Sequence, residues 1–492
     1  MSVVFYSVSP FGTGDIKTGS PTLTISGGLA TLSVAQTGNI GAGCRVTYDT
    51  SKVAYIAPAK LAFTSGGTFQ VKLGHRIVGA ISGAEAIIRA VELTSGTWAG
   101  GDAAGNFYLE SQTGTFQSEN IDVDGNSNVA TISSDSVGNM STTFVLKTAT
   151  GGTPGNEASA VTVNSIAHEY ASGSAWEAGF TDANHINNTD LTSAQVIAHG
   201  VGYYDHDDDT IDSIVLTIDG TTTSTVYYIH FFCARGNKEA INNNQHNGTR
   251  GNGYRIHTSA SWGGAVINNN DDNVFIDGIS VKNTSADESV GVLTIGDTTI
   301  KNCLVSDSTS FGIKNMLDGK TLTIINCFVY NTGCGINGHY GITNIYNSTV
   351  LNTFTGTYGN GCGIRADAFR TTNAYNCYSG NSSVADYYKE TNGNLNLTTC
   401  ASSDGSESTT VVACSTSSGA YFTNVTAGSE DAHIGSSSGL KDIGTDYSNL
   451  FEFDFEGSLR SGSWDIGADE YIAAGGIAIP VIMQHLRQQG IN

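Results

Sequence analysis

The sequence predicts an all-β protein built as a right-handed parallel β-helix, with small β domains before it and a short helix after it. The main observation is a short sequence motif that is repeated six times, with small changes, between residues 274 and 405. Equivalent positions in successive copies are 24, 24, 21, 29 and 23 residues apart. The copies are VFIDGISVKN, TIKNCLVSDS, TIINCFVYNT, NIYNSTVLNT, NAYNCYSGNS and LNLTTCASSD. Short β-type repeats of this length cannot bury their apolar face alone, which is typical of a stacked solenoid.

The six copies align in three columns. The first column is apolar and comprises Ile276, Ile300, Ile324, Ile345, Ala374 and Leu397. The second column is Ile279, Cys303, Cys327, Ser348, Cys377 and Cys400, and the third is Gly278, Asn302, Asn326, Asn347, Asn376 and Thr399. Gly and Asn tolerate left-handed backbone angles, so the third column predicts a sharp corner between two strands. We expect the first column to stack inward and the asparagine side chains to bond along the axis.

The positions of the prolines also support this fold class. The five prolines stand at positions 10, 21, 58, 154 and 480, so none interrupts the repeats. An unbroken strand ladder needs every backbone donor, and proline supplies none. No LxxLxLxxN consensus is present, which excludes a leucine-rich repeat.

Composition excludes several classes of function. The chain has 492 residues, with 22 basic and 45 acidic side chains and a net charge of −23. This balance argues against binding nucleic acid or an anionic membrane surface, because both need clusters of Lys and Arg. The start, MSVVFYSVSPFGTGD, has no basic n-region, so no secretory signal is expected. No apolar run is long enough to span a bilayer.

Cysteine usage predicts reduced, buried thiols. The nine cysteines are an odd number without the dense spacing of a disulfide framework. No CxxC and no histidine at ligand spacing accompanies them, so zinc ligation by cysteine is not expected. The sequence assigns no cofactor.

The domain organisation predicted for the N-terminal half has three parts. Residues 1–59 form a β module for attachment that 133–164 continue, and 60–132 are a small β domain inserted into it. Residues 165–199 contain capping helices that cover the open end of the solenoid. The first opens with the capping box Ser174-Ala-Trp-Glu177, with Trp176 and Phe180 on one face, and a second runs over 193–199.

The C-terminal half is predicted to be one solenoid with a tail. The parallel β-helix runs over 200–471, with looser coils beyond Gly405. Residues 472–492 are a linker and a helical tail, with Pro480 at a first helical position and Gly490 at the C-terminal cap. The tail helix is too short to be stable alone, so we expect it to pack against another protein surface.

Two acidic stretches are candidate sites. Asp205, Asp207 and Asp209 alternate as in a calcium loop, but Thr210 replaces the turn glycine and the bidentate Glu is missing, which favours a solvated acidic turn. Phe451 to Glu456 alternates, which predicts a strand with Glu452, Asp454 and Glu456 on one face. Neighbouring carboxylates would be about 6.6 Å apart, near the lower limit for an inverting glycosidase. A half-buried strand with a polar outer face is the alternative that we favour.

The histidines at 168, 185, 199, 206, 230, 246 and 257 form no HExxH motif and no recognisable triad order. They are predicted to be structural or surface residues. No catalytic, cofactor-binding or metal-ligating residue is therefore assigned.

The repeats, the SxWE cap, QHNGT at 245–249 and the ending SLRSGSWDIGADEY together resemble right-handed parallel β-helix proteins of the pectate-lyase-like superfamily, over about 170–471. Within that class, GTWAGGDAAGNFYLESQTGTF and IPVIMQHLRQQG look like features of phage tail fibre or tail-spike proteins. For a pectate lyase the resemblance would imply acidic calcium ligands and an arginine base, and that set is not matched here.

The resulting hypothesis is a phage virion structural protein. It would be a fibre- or spike-type subunit, trimeric, made in the host cytoplasm and placed on the particle surface for attachment or decoration. Its partners would be other virion proteins and a host surface glycan. One alternative is a tail spike that cleaves polysaccharide as a depolymerase or lyase, because a fold does not fix a function. Another is a capsid decoration or head-fibre protein, or a non-viral surface adhesin.

Overall fold

A computed structural model describes residues 1–135, 137, 140–204, 211–260, 264–356, 360–406 and 421–472. Within these ranges the chain is nearly all β, and its helices are short. None of the helices in this part of the chain has the length and apolarity needed to cross a membrane.

Two closed barrels occupy most of the first 167 residues, after an initial strand β1 (Ser2–Val8). The first barrel begins with β2 (Thr22–Ser26), β3 (Leu29–Leu32), β4 (Arg45–Tyr48) and β5 (Lys52–Ala57). The second barrel comprises β6 (Lys60–Gly66), β7 (Arg76–Gly79), β8 (Glu85–Ser95), β9 (Ala103–Thr113), β10 (Glu119–Val123) and β11 (Asn126–Ile132). Then β12 (Thr143–Lys147) and β13 (Glu157–Ala167) complete the first barrel in the order β12-β3-β2-β13-β4-β5. Closure removes the free strand edges that a small open sheet would expose.

Short helices follow the barrels: α1 (Gly173–Ala178), a 3-10 turn (Gly179–Thr181) and α2 (Leu191–Ala194). The predicted N-cap at Ser174 is wrong by two residues. Ser172 is the cap, because its hydroxyl accepts the backbone N–H of Ala175 at 3.1 Å. Trp176 and Phe180 do share a face, are buried, and pack edge to face with ring centroids 5.2 Å apart.

The helix predicted over 193–199 is also wrong. The α2 turn ends at Gln195, which has a left-handed φ of 55°, and a strand starts at Val196. This strand lies between two parallel neighbours that satisfy its backbone on both sides. Tertiary pairing therefore overrides the local helical preference of SAQVIAH.

The remaining strands stack as a parallel β-helix with three faces, named here sheets I, II and III. In chain order they are β14 (Val196–Gly202), β15 (Leu216–Ile218), β16 (Ile229–Cys233), β17 (Arg255–Thr258), β18 (Gly264–Asn269), β19 (Val274–Asp277), β20 (Ser280–Asn283), β21 (Ser289–Thr294), β22 (Thr298–Lys301), β23 (Leu304–Ser306), β24 (Phe311–Asn315), β25 (Thr321–Ile325), β26 (Phe328–Tyr330), β27 (Cys334–Gly338), β28 (Ile342–Tyr346), β29 (Thr349–Leu351), β30 (Cys362–Ala366), β31 (Thr371–Tyr375), β32 (Tyr378–Gly380), β33 (Ala385–Lys389), β34 (Asn394–Thr398) and β35 (Ala401–Ser402).

From β16 onward, the strands follow one another in the order sheet I, sheet II, sheet III. Sheet I is β1-β14-β16-β19-β22-β25-β28-β31-β34, sheet II is β17-β20-β23-β26-β29-β32-β35, and sheet III is β15-β18-β21-β24-β27-β30-β33. All neighbouring pairs are parallel, and connections between parallel strands of one sheet are almost always right-handed. The predicted fold class, a right-handed parallel β-helix, is confirmed.

The first strand does not belong to the N-terminal β module predicted for residues 1–59. It pairs in parallel with β14, from Ser2 with Val196 to Val8 with Gly202, as the edge strand of sheet I. Val4, Tyr6 and Val8 point into the solenoid core, whereas Val3 and Phe5 pack toward the barrels. An apolar strand that is buried on both faces suits a parallel sheet. The β-helix therefore uses residues far before position 200.

The repeat register is confirmed residue by residue. The first-column residues are successive partners in sheet I: Ile276 with Ile300, Ile300 with Ile324, Ile324 with Ile345, Ile345 with Ala374, and Ala374 with Leu397. The four isoleucines have no exposed surface. They form the inward stack that the alignment predicts.

The third column forms the corner between sheets I and II, and all six of its residues have a left-handed φ between 40° and 75°. Asn326 Nδ2 donates to Asn302 Oδ1 at 3.3 Å, and Asn376 Nδ2 donates to Asn347 Oδ1 at 3.1 Å. The predicted asparagine ladder thus forms in two pieces.

The eight described cysteines are buried and free of disulfides, which confirms the prediction of reduced thiols for this part of the chain. Cys414 and the predicted C-terminal helix lie outside the described residues.

Residues 421–472 do not continue the coils, so the prediction of a β-helix over 200–471 is wrong at its end. This C-terminal segment contains the antiparallel pair β36 (Phe422–Asn424) and β37 (Asp431–Ile434). It packs along the corner between sheets I and II, where amides of the asparagine column donate to its carbonyl groups. Those bonds join Asn326 to Phe453 at 2.6 Å, Asn347 to Asp465 at 2.9 Å and Asn376 to Thr445 at 2.7 Å.

Candidate functional site

The outer face of sheet I presents two parallel columns of side chains, because successive residues of a strand point to opposite faces. The first outer column is Phe5, His199, His230, Phe275, Thr299, Thr323, Asn344, Asn373 and Asn396. The second is Ser7, Val201, Phe232, Asp277, Lys301, Ile325, Tyr346, Tyr375 and Thr398. The first coils of this face are covered by the barrels through Ile197, Val201 and Phe232.

A groove begins where the barrels end. Its floor is sheet I from Phe275 to Tyr346, one wall is the second barrel at Leu73, Gly74 and Glu110, and the other wall is the C-terminal segment at Leu450 and Phe451. The enclosed part has a volume of about 300 Å³. Phe451 packs on Trp464 with ring centroids 5.1 Å apart, which fixes that wall. The groove is therefore built by three separate parts of the chain.

The floor combines aromatic rings with small polar groups. The rings of Tyr346 and Tyr375 are stacked, with centroids 4.8 Å apart and planes inclined by 11°, and Tyr447 meets both edge on at 5.6 Å. Thr299 and Thr323 lie in the two coils that follow Phe275, and their hydroxyl groups line the floor. Aromatic rings beside hydrogen-bonding groups form a mixed apolar and polar surface, which suits a ligand that has both kinds of group.

An amide ladder extends this surface beyond the groove. Asn373 Nδ2 donates to Asn344 Oδ1 at 2.8 Å, and Asn396 Nδ2 donates to Asn373 Oδ1 at 2.8 Å. Each of these amides uses only part of its hydrogen-bonding capacity in the ladder. The outer column of sheet I therefore offers evenly spaced donors and acceptors along the axis.

Lys301 supplies a cation to the groove floor. No carboxylate of the described residues lies within ion-pairing distance of its Nζ, although Asp277 occupies the same column one coil earlier. Gly74 of the second barrel faces this amine, and a Cβ at that position would stand 3.8 Å from Nζ. The second barrel therefore approaches this amine closely at Gly74.

A buried charge network anchors the wall formed by the second barrel. Arg89 of β8 is 1% exposed and pairs with Glu239 at 2.5 Å, Asp277 at 3.0 Å and Glu110 at 3.3 Å. Its guanidinium carbon lies 4.1 Å from the centre of the Phe232 ring. Burial raises the pKa of the Glu239 carboxyl to about 7, although Arg89 opposes this shift. These contacts hold the barrel against sheet I.

Two buried histidines lie under the same interface. His199 stacks on Phe5 with centroids 4.6 Å apart, and His230 Nε2 is 4.0 Å from Asp277 Oδ2. Burial lowers the pKa of both imidazoles well below the usual range. Both rings are therefore neutral packing groups at neutral pH.

A second, open cavity of about 650 Å³ adjoins the groove between the second barrel and the C-terminal segment. Glu452 lines it, and the Glu452 Oε2 atom is buried without a hydrogen-bond partner among the described residues. Arg76 Nη1 lies 3.7 Å from Oε1. Burial raises the pKa of the Glu452 carboxyl, and Arg76 limits the shift.

The predicted alternation over 451–456 does not form. Phe453 makes an isolated bridge to Leu459, and a turn follows it. Asp454 is buried inside this turn, where its Oδ1 accepts the backbone N–H groups of residues 456, 457 and 458 at 2.8–2.9 Å. Asp454 is a structural carboxylate, so the glycosidase pair does not form, and Glu452 faces the open cavity.

The other candidates from the sequence take no part in the groove. Asp205, Asp207 and Asp209 lie outside the described residues. Asp212, at the end of that acidic run, is buried and accepts the N–H of Gly173 at 2.7 Å and the hydroxyl of Tyr254 at 2.8 Å. His168, His185 and His246 are also buried.

Sequence reasoning missed the groove residues, although a signal for them exists. Each residue that directly follows the first column faces outward, which gives Asp277, Lys301, Ile325, Tyr346, Tyr375 and Thr398. The alignment thus contains the outer surface. It does not contain the walls, because those come from distant parts of the chain.

Comparison with known proteins adds little beyond the architecture. No family model matches the chain, and no curated protein matches it. Among solved structures the chain is similar to pectate lyase Pel9A, with 11% identity and a TM-score of 0.26 over 56% of this chain and 88% of that one. It is also similar to a protein described as a glycoside hydrolase, with 9% identity and a TM-score of 0.17 over 80% and 82%. Likeness at this level says nothing about the activity of this chain.

Proposed function

We propose that the chain binds a polysaccharide along the outer face of sheet I, as a fibre- or spike-type attachment subunit on the surface of a phage particle. The observation that carries the binding role is the groove with its stacked Tyr346 and Tyr375 rings, the free amine of Lys301 and the amide ladder that begins at Asn344. Sugar rings have apolar C–H faces and polar rims, and this surface offers both complements.

The repeating arrangement favours a polymer over a small molecule. From Phe275 to Asn396 the outer column spans six strands, so at the ordinary strand spacing it is on the order of 25 Å long. A small ligand would fill one part of this length. A chain of sugars lying along the axis would meet a polar or aromatic side chain at each coil.

Two properties of the chain support the placement on a virion, namely its free cysteines and its net charge. Eight free, buried cysteines suit a chain that folds in a reducing cytoplasm. The net charge of −23 favours solubility at high copy number. A phage subunit is made in the host cytoplasm and reaches the outside by lysis, which agrees with both features. We propose a homotrimer, as expected from the resemblance to fibre and spike chains.

A glycan-binding assay on arrayed bacterial polysaccharides tests the binding role. We expect Tyr346→Ala to weaken binding at least tenfold, and Lys301→Met to weaken it further where the bound polymer carries carboxylates. The matched controls are Phe369→Ala, an exposed aromatic residue at another corner, and Lys320→Met, a half-buried lysine outside the groove that pairs with Asp272. Equal loss in a control and a groove variant would contradict the assignment.

Mass spectrometry of purified particles tests the virion role. The chain is expected among the particle proteins, and its native mass in solution is expected to be that of a trimer. Absence from particles, with binding intact, would leave a surface adhesin or a secreted binder in place of a virion protein.

A second candidate is a polysaccharide depolymerase, which the partnerless oxygen of Glu452 favours. A carboxyl group whose pKa is raised by burial can remain protonated and donate a proton to a leaving group. Release of reducing ends from a bound polysaccharide would support this activity, and Glu452→Gln should abolish the release without weakening binding. No release from any bound polymer would leave the binding role alone.

A further inference from the structure

Three potential ligand side chains meet inside the C-terminal segment, away from the groove. His433 lies on β37, two residues after Asp431, so both side chains point to one face of that strand. Glu456 and Asp469 come from later turns of the segment. One ligand atom from each of His433, Glu456 and Asp469 lies within 4.8 Å of the other two.

Asp431 orients the imidazole of His433. Its Nδ1 is 2.5 Å from Asp431 Oδ1, which leaves Nε2 directed at Glu456, whose Oε2 is 3.1 Å away. A carboxylate bound to the second ring nitrogen is how proteins commonly orient a metal-binding histidine.

Asp469 offers one oxygen that the protein does not use. The residue is 5% exposed, and its Oδ2 accepts the backbone N–H of Ile434 at 2.8 Å. No donor in the described part of the chain bonds to its Oδ1. That oxygen is therefore available to a ligand.

The surroundings hold these groups in place and leave one side open. The Phe455 ring centroid lies 5.5 Å from that of His433. Gly248 has a φ of +77°, and a Cβ there would stand 2.4 Å from the Phe455 ring and 3.3 Å from His433 Cε1. Glu456 is exposed, so solvent reaches the cluster from its side.

We infer that His433, Glu456 and Asp469 bind one zinc ion, with water completing the coordination. One imidazole nitrogen and two carboxylate oxygens are ligands that Zn²⁺ accepts, and three protein ligands with an open position are a common zinc arrangement. Ca²⁺ and Mg²⁺ prefer oxygen ligands alone, so the histidine selects against them. Asp454 is not a ligand, because backbone N–H groups occupy both of its oxygens.

The competing explanation is an ion cluster without metal, in which His433 is a cation among Asp431, Glu456 and Asp469. The two explanations differ in stoichiometry. A zinc site takes up one ion per chain in a saturable manner, whereas the ion cluster takes up none.

The test is a calorimetric titration of the full chain with Zn²⁺ at neutral pH, after chelator treatment and dialysis. We expect one site per chain, lost in His433→Ala and weakened at least tenfold in Glu456→Gln. Because Glu456 is exposed, the second variant should fold even if the first does not. His75→Ala is the control, since His75 pairs with Asp124 on the second barrel.

Co²⁺ provides a second readout. The visible absorption of four- or five-coordinate Co²⁺ is expected in the wild-type chain and in His75→Ala, and not in Glu456→Gln. A wild-type chain without saturable Zn²⁺ uptake, or a folded Glu456→Gln variant with unchanged affinity, would overturn the proposal.

Discussion

Arg460 Nη2 donates to Oδ1 of Asn326 at 3.1 Å, at the point where the asparagine ladder along the corner is interrupted. The same guanidinium bonds to the carbonyl groups of Gly467 and Ala468 at 3.1 and 2.8 Å, and to Glu470 at 3.1 Å. One fully buried side chain therefore joins the ending SLRSGSWDIGADEY to the β-helix. Since this segment also forms a wall of the groove, Arg460 supports the binding surface from a distance.

Replacing Arg460 should release the C-terminal segment. Arg460→Met removes the cation that pairs with the buried Glu470 carboxylate, together with the bonds to the carbonyl groups of Gly467 and Ala468. Removing one member of a buried ion pair costs about 3–5 kcal/mol. We expect faster cleavage within 421–472 by a dilute protease, with the β-helix intact. The control is Arg370→Ala, whose ion pair with Asp318 is exposed and should contribute about 1 kcal/mol or less. Equal protease resistance in the two variants would contradict this role.

The inward isoleucine stack should determine the stability of the solenoid. Ile324→Ala removes buried methyl groups from a close-packed column and should lower the free energy of unfolding by about 2–5 kcal/mol. Ile342→Ala, in the same sheet but 45% exposed, should change it by about 0.5 kcal/mol or less. Urea unfolding followed by far-UV circular dichroism distinguishes the two variants. Similar midpoints would mean that Ile324 is not in the core.

The second barrel carries a carboxylate that should make its stability depend on pH. Burial alone would raise the pKa of Glu119, but hydrogen bonds from the Ser82 hydroxyl and from the backbone N–H groups of Gln117, Ser82 and Ile81 lower it to about 2. The folded state therefore favours the ionised form. Its stabilising contribution is complete above the pKa of the unfolded chain, about 4.3, and is lost as the pH falls toward 2.

Glu119→Gln should consequently be destabilising by about 1–3 kcal/mol at pH 7, and the difference from the wild type should shrink below about pH 4. Thermal unfolding at pH 7, 4 and 2.5 measures the effect. Glu157→Gln is the control, because its partner Lys52 is exposed and the pair contributes little. A difference that stays constant across this range would show that the carboxylate charge is not what matters.

The repeating part of the fold could be predicted from the sequence, because each coil repeats the same pattern of residue types. The isoleucine column, the asparagine corner and the buried cysteines follow from strand alternation and from the tolerance of asparagine for left-handed angles. The residues that pair at long range could not. The strand Ser2–Val8 joins sheet I through contacts with Val196–Gly202, and no local pattern indicates a partner that distant.

The candidate site shows the same division. Lys301, Tyr346 and Tyr375 lie one position after the first column, so the outer face could have been predicted from the alignment. The walls at Gly74 and Phe451, and the meeting of His433 with Asp469, depend on how separate parts of the chain fold together. The alternation of Phe451 to Glu456 was misleading, because the backbone N–H groups around Asp454 form a turn that a strand could not.

The most direct test of the binding role is a crystal structure of the chain with an oligosaccharide prepared from the polysaccharide that it binds best. We expect sugar density along sheet I, with a ring against Phe275 or Tyr346 and a polar group within hydrogen-bonding distance of Lys301 Nζ. Sugar bound only elsewhere, for example at the exposed corner around Phe369, with none along sheet I, would contradict it.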